Sequence, residues 1–370
     1  MLPETVAPQV VVSGTTLRYP VGPGVLLAEV GQFSDELSAY LQFDYIRSRP
    51  DVDEAAVFLE ANETAHGPDY RVTILAPNDA VTAIPYLAGL EARAIISGFK
   101  LVATPAYRIP YLRQQTAIFV SAYNRPVRRK LDEIDPHQLA VPVSRFIQFK
   151  SRTDPRVRLQ PDFPVGSLTR QQATEFAADV IAVARFYSIP LDVFLGIGAM
   201  ENNYLDVQGD LEHTTWKRKA EPGDIVLKRR RGRVLVKNYS LGPWQITRET
   251  LRYAHELFLH DKRDYSALPE RLRPSRQLNF DSLDGHVLTT YAGLLLRDLL
   301  DHFDGDIEQA VGAYNGGISN PNLQYAAGVQ QVAQYARSVL VHVSGINEAA
   351  IVNTRFVSVS RPGPHQPARR

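Results

Sequence analysis

The chain of 370 residues contains no cysteine. That excludes disulfides, thiolate metal sites, thiol nucleophiles and attachment through a lipidated cysteine. Long hydrophobic runs are also missing, since every apolar stretch falls well short of a membrane span. Neither sign of charge is in excess: 41 Lys plus Arg stand against 40 Asp plus Glu. The global basic bias of a nucleic-acid binder is therefore absent, and any electrostatic attraction must be local. Residues 1–9 lack the basic start and apolar run of a secretory signal. No phosphate-binding glycine loop occurs in the first 160 residues. His255, His260 and His286 lack the spacing and acidic partners of a zinc site, so neither a metal nor a cofactor is expected. What is present is the composition of a globular protein, 44% hydrophobic and 22% charged, with a length that suits two domains.

The texture changes along the chain, and the expected class is α+β. Residues 1–160 read as a mixed α/β domain of unassigned role. Runs of β-branched and aromatic residues at 10–19, 70–75 and 117–123, bounded by Pro, Gly or Asn, are expected strands. Prolines between Asp154 and Gly166 break both periodicities and mark a boundary. Residues 161–346 then read as a mostly helical domain. Thr169 and Gln172 form a capping box ahead of a stripe of Ala173, Phe176, Ala177, Val180, Ile181, Ala184 and Tyr187. Thr247 caps a helix carrying Leu251, Ala254 and Phe258, while Val287, Leu288, Tyr291, Leu294, Leu295 and Leu299 make a central buried helix. Another helix opens at Asp306 and closes at Gly316 and Gly317, and a last one is expected over 329–340. Residues 347–370 form a Pro-rich basic tail.

The chemistry concentrates in the helical half. Phe194, Ile197, Glu201 and Tyr204 follow three- and four-residue steps and so share a helical face. A carboxyl buried there has a raised pKa and can serve as a general acid near neutral pH. Two further elements follow in order: Ser240, Leu241, Gly242, Pro243, Trp244 and Gln245, then Gly312, Ala313, Tyr314 and Asn315. Glu201 with Asn202, Gly242 with Gln245, and Ala313-Tyr314-Asn315 together resemble the catalytic domain of soluble lytic transglycosylases, the goose-lysozyme-like fold of glycoside hydrolase family 23. The resemblance covers about residues 165–345. Asn202 stands where that family usually has Ser, and Pro243-Trp244 where it has Leu-Met, which alters the wall of the cleft.

The resemblance implies a peptidoglycan lytic transglycosylase with a helical lysozyme-like fold. Glu201 would be its single acid and base, cleaving between N-acetylmuramic acid and N-acetylglucosamine to leave a 1,6-anhydro ring. It implies substrate-binding roles for Asn202, Ser240, Gly242, Trp244, Gln245, Tyr314 and Asn315, and for Tyr335 as a cleft-floor tyrosine. On the residues alone, Tyr314 also continues an apolar face and Asn315-Gly316 is an ordinary helix ending. Ser240 has no His–Asp constellation to make it a nucleophile. A hydrolytic lysozyme on the same scaffold would need a second carboxylate, for which Asp206, Asp210 and Asp224 are the candidates. An inactive glycan-binding protein would use Trp244 as a stacking platform.

Between the first two motifs, residues 225–236 read as a β-hairpin turning at Gly232. Lys217, Arg218, Lys219, Lys228, Arg229, Arg230, Arg231, Arg233 and Lys237 make it the most basic patch of the chain, suited to a flap that attracts the anionic peptides of peptidoglycan. The expected partners are glycan strands, with envelope proteins through the N-terminal domain. No nucleic acid or membrane span is expected. The expected location, drawn from the substrate, is the cell envelope or periplasm, which calls for an export segment upstream of this chain.

Overall fold

A computed structural model describes residues 10–12, 15–17, 24–160, 162–207, 212–221, 224–280 and 283–343. Asp210 and the expected tail 347–370 lie outside the described residues. Helices and antiparallel sheets are mixed throughout, as an α+β class requires.

The single strand expected over 10–19 is instead two short antiparallel strands, β1 (Val10–Val12) and β2 (Thr15–Leu17). There follow β3 (Gly24–Phe33), α1 (Glu36–Arg47), β4 (Val57–Thr64), β5 (Gly67–Leu75), α2 (Ala80–Ala92) and β6 (Lys100–Pro105). The four strands pair antiparallel in the order β4-β5-β3-β6, a β-α-β-β-α-β unit. Alternation along the strands sends Leu26, Ala28, Val57, Leu59, Val72 and Ile74 into the main core. Leu27 and Phe58 point to the other face, where Ile109 and Leu112 of α3 (Arg108–Tyr123) cover them.

The strand expected at 117–123 is therefore the second half of α3. Its β-branched Ile118 is exposed, whereas Leu112, Gln115, Phe119 and Tyr123 turn inward at helical spacing. Periodicity over the longer window, not the local β-propensity of seven residues, decides the element.

Next come α4 (Pro136–Arg152), the short α5 (Pro155–Leu159), α6 (Arg170–Phe186) and α7 (Leu191–Asn202). The Thr169–Gln172 capping box is formed at the start of α6. A second sheet holds β7 (Glu212–Lys217), β8 (Ile225–Arg230), β9 (Arg233–Leu241) and β10 (Ile246–Thr247). The expected hairpin is thus part of a larger sheet in which β9 pairs with β7, β8 and β10. Arg231 and Gly232 take φ values of 46° and 71° at its tip, the two left-handed residues of a tight hairpin turn.

Helices α8 (Arg248–His260), α9 (Gly285–His302), α10 (Ile307–Gly316) and α11 (Leu323–Val343) complete the chain. Leu288, Tyr291, Ala292, Leu295, Leu296 and Leu299 make α9 a buried helix, as its sequence indicates. One cluster of buried side chains extends from Leu26 in β3 through Phe146 in α4 and Val180 in α6 to Leu340 in α11. Among the described residues no helix is long and apolar enough to cross a membrane.

Candidate active site

Glu201 sits in the last turn of α7, and the end of that helix is tied down by the segment that precedes α6. Asp154, buried at the start of α5, accepts hydrogen bonds from Arg156 and, at 2.9 Å, from Asn203 Nδ2. The Arg156 guanidinium also donates to Asn202 Oδ1, and Asn202 Nδ2 donates to the Leu205 carbonyl at 2.8 Å. Asn202 is 2% exposed. It closes the helix end and makes no bond to the Glu201 carboxyl, so the structure does not place it on a substrate surface.

The chain then leaves the helix through two left-handed residues, Asn203 (φ 46°) and Tyr204 (φ 63°). Tyr204 is consequently not on the helical face expected for it. It folds back beneath α7, where its hydroxyl donates to the Leu195 carbonyl at 2.6 Å. A Cβ on Gly198 would lie 2.5 Å from the Tyr204 ring, so the glycine makes room for this return.

Glu201 itself is half-buried, and no cation pairs with it among the described residues. Burial raises its carboxyl from 4.5 to about 7, against the opposing effect of a hydrogen bond from the Tyr325 hydroxyl at 2.6 Å. Tyr325 belongs to the first turn of α11. It is the partner of Glu201 that sequence reasoning missed, because that helix was expected to begin at 329. The missed signal was Pro321-Asn322: Asn322 Oδ1 accepts from the Tyr325 backbone N–H at 3.1 Å, an N-cap two residues ahead of Gln324.

The third motif joins the same site through Tyr314. Burial and then the Glu201 charge hold the Tyr314 hydroxyl well above its ordinary value, and the same two effects, in the same order, act on Tyr325. Tyr314 also donates to the Trp244 carbonyl at 3.2 Å, which brings in the second motif. Asn315, by contrast, is exposed, and its Oδ1 accepts from Asn322 Nδ2 at 2.9 Å across the α10–α11 turn.

The side chains of the second motif are structural. Trp244 is 0% exposed, stacks on Phe194 with ring centroids 4.1 Å apart, and donates from Nε1 to Thr289 Oγ1 at 2.9 Å. A platform for sugar stacking is excluded at that position. Gln245, left-handed at φ 47°, donates to the Gly242 carbonyl at 2.8 Å and accepts from the buried Ser240 hydroxyl. Together they lock the turn between β9 and β10. Gly242 (φ 64°) is needed because a Cβ would stand 2.6 Å from Leu288, so the close approach is to the core and not to a ligand.

Tyr335 is also displaced from its expected role. It lies on the stretch of α11 that packs against Phe146 of α4, and burial followed by the Asp44 charge raises its hydroxyl well above the ordinary value. Of the acidic candidates, Asp224 is held below the usual carboxylate range, burial being outweighed by the Glu221 backbone N–H and by Arg252, 2.7 Å away. Asp206 is exposed beside Gly242, and partial burial, then the charge of Asp284, raises its carboxyl. The basic patch is partly neutralised: Lys217 pairs with Glu221 at 2.8 Å and Lys237 with Glu212 at 2.6 Å. Lys228, Arg229, Arg230, Arg231 and Arg233 remain exposed at the hairpin tip. His286 binds buried Asp179 at 2.5 Å, and His255 spans the Tyr291 hydroxyl and the Arg276 carbonyl.

No family model, curated protein or solved structure matches this chain.

Proposed function

We propose that the protein is a peptidoglycan lytic transglycosylase in which Glu201 is the only acid and base. One observation carries this reading. The half-buried Glu201 carboxyl of the first motif accepts a hydrogen bond from Tyr325 at the start of α11, its charge acts on Tyr314 of the third motif, and Tyr314 in turn bonds the Trp244 carbonyl of the second.

A carboxyl held at about 7 is roughly half protonated at neutral pH, where a general acid that must later act as a base is best poised. Glu201 delivers its proton to the glycosidic oxygen as the bond from C1 of the muramic sugar breaks. The carboxylate then takes the proton from the C6 hydroxyl of the same sugar while O6 bonds to C1. Glu201 is returned to its acid form, and no water is consumed. Substrate thereby supplies the nucleophile that a second carboxylate supplies in most glycosidases. Tyr325 holds the carboxyl in place and stabilises its ionised form between the two steps. The exposed cations of the β8–β9 tip suit a flap drawn to anionic peptide stems, with an attraction that weakens as salt rises.

The hydrolytic alternative draws on Asp206, whose raised carboxyl lies just beyond the same helix. Mass spectrometry of soluble products from purified peptidoglycan separates the two. Anhydro-muramic ends from the parent protein and none from Glu201→Gln are expected. Reducing ends would shift the assignment to a hydrolase, and no products from a folded parent protein would reject both.

A further inference from the structure

A cavity of about 270 Å³ lies between the end of β3, helix α1 and the corner where α4 meets α5, in the half of the chain without a motif. Its wall includes the stretch where β3 slips register between Glu29 and Gly31, a bulge of the sort that re-aims side chains at sites. Its polar lining is Gln32, Gln42, Ser97, Arg152, Thr153 and Arg158, and no carboxylate is among the lining residues.

Arg152 is exposed and Arg158 half-buried, and both line the cavity. Arg108, Arg156, Arg252, Arg271 and Arg337 each contact an acid directly. Arg152 and Arg158 have no ion pair among the described residues, and Arg158 donates to the Ala94 carbonyl and also bonds the Tyr45 side chain. Partial burial first, and the charge of Arg158 second, lower Arg152 from its ordinary value, against the attraction of Asp35. Asp35 is itself engaged by Arg145 at 3.3 Å. Asp69, bonded to Gln32, is neutralised by Arg71 at 2.7 Å. Gln42 is 8% exposed, faces the cavity and has no hydrogen-bond partner among the described residues. Two like charges line one cavity that holds no carboxylate, and the Gln42 side chain has no protein partner there, so an anion entering it would meet both cations at once.

We propose that this cavity binds a small oxyanion, the phosphate or carboxylate group of a soluble ligand, between the guanidinium groups of Arg152 and Arg158, with the Gln42 amide as a third donor. The planar forks of two arginines match such a group by paired, charge-assisted hydrogen bonds.

The test is calorimetric titration of the full chain with sodium phosphate and, separately, sodium acetate at constant ionic strength, beside thermal melts with the same salts. One-site, saturable binding with a matching rise in Tm is expected for at least one anion. The preferred anion identifies the ligand group. Arg152→Gln is expected to weaken it at least tenfold and Gln42→Leu several-fold, with glycan cleavage unchanged. The Arg152 side chain makes no hydrogen bond among the described residues, so its replacement is expected to leave the fold intact. Absence of saturable binding of either anion to the parent overturns the proposal. So does unchanged affinity in a normally folded Arg152→Gln protein.

Discussion

The Glu201 carboxyl links chemistry to stability. Burial without a cationic partner favours the neutral acid, which is why folding moves its pKa from 4.5 to about 7. Between those values the folded state keeps a proton that the unfolded chain has released. Stability associated with this group is therefore complete below pH 4.5 and is lost as pH rises through about 7. At ~1.36 kcal/mol per pH unit, that interval bounds the loss at about 3 kcal/mol. Glu201→Gln cannot titrate. Its Tm is expected to match that of the parent near pH 4.5 and to exceed it at pH 8. A constant offset between the two proteins across that range would show that the carboxyl is solvated in the folded state.

Helix α7 reaches its neighbours because two glycines thin it. A Cβ at Gly196 would stand 2.7 Å from the Val329 carbonyl oxygen, a backbone atom of α11 that has no rotamer by which to move aside. Replacing glycine by alanine in a helix gains about 1 kcal/mol of propensity, but overpacking a close helix contact costs about 1–3 kcal/mol. The clash wins, because relief requires the whole of α11 to shift. Gly196→Ala is expected to lower Tm and also to reduce activity, since the shift carries Tyr325 away from Glu201. An unchanged Tm with full activity would mean that α7 and α11 are packed more loosely than described. The same element shows why Tyr325 escaped notice and Tyr335 did not. A helix read from its apolar stripe begins where the stripe is strong, whereas this one begins at a polar cap, two turns earlier.

At the scale of the molecule, the sheet and the helices share one core. Phe146 of α4 packs near Tyr335 of α11, the Arg158 side chain reaches the Ala94 carbonyl, and His342 lies 3.6 Å from Glu36. Removing residues 24–152 would expose the apolar sides of α6 and α11 that α4 now covers. A single cooperative calorimetric transition is expected for the whole chain, and a fragment of residues 161–346 is expected to fail to fold alone. Two separate transitions, or a fragment that melts cooperatively, would show that the halves are independent.

Helix identity over α6, α8, α9 and α10, the caps of α6, α8 and α10 and the β8–β9 turn were legible in the sequence, because they depend on near neighbours in the chain. Glu201 was legible for a related reason: a carboxylate on an apolar helical stripe is expensive wherever the helix packs. Local order could not settle what the other motif residues touch. Trp244 and Gln245 look like ligand contacts in a linear motif, yet one fills the core against Phe194 and the other locks a turn. Asn202 faces Arg156, and Glu201 meets Tyr325, across separations that carry no periodic signal. Sequence by itself determined the helical identity of α6 to α10 and set Glu201 on an apolar helical stripe. Tertiary structure alone decided which side chains surround that carboxyl, because burial and hydrogen-bond partners are properties of packing between distant segments.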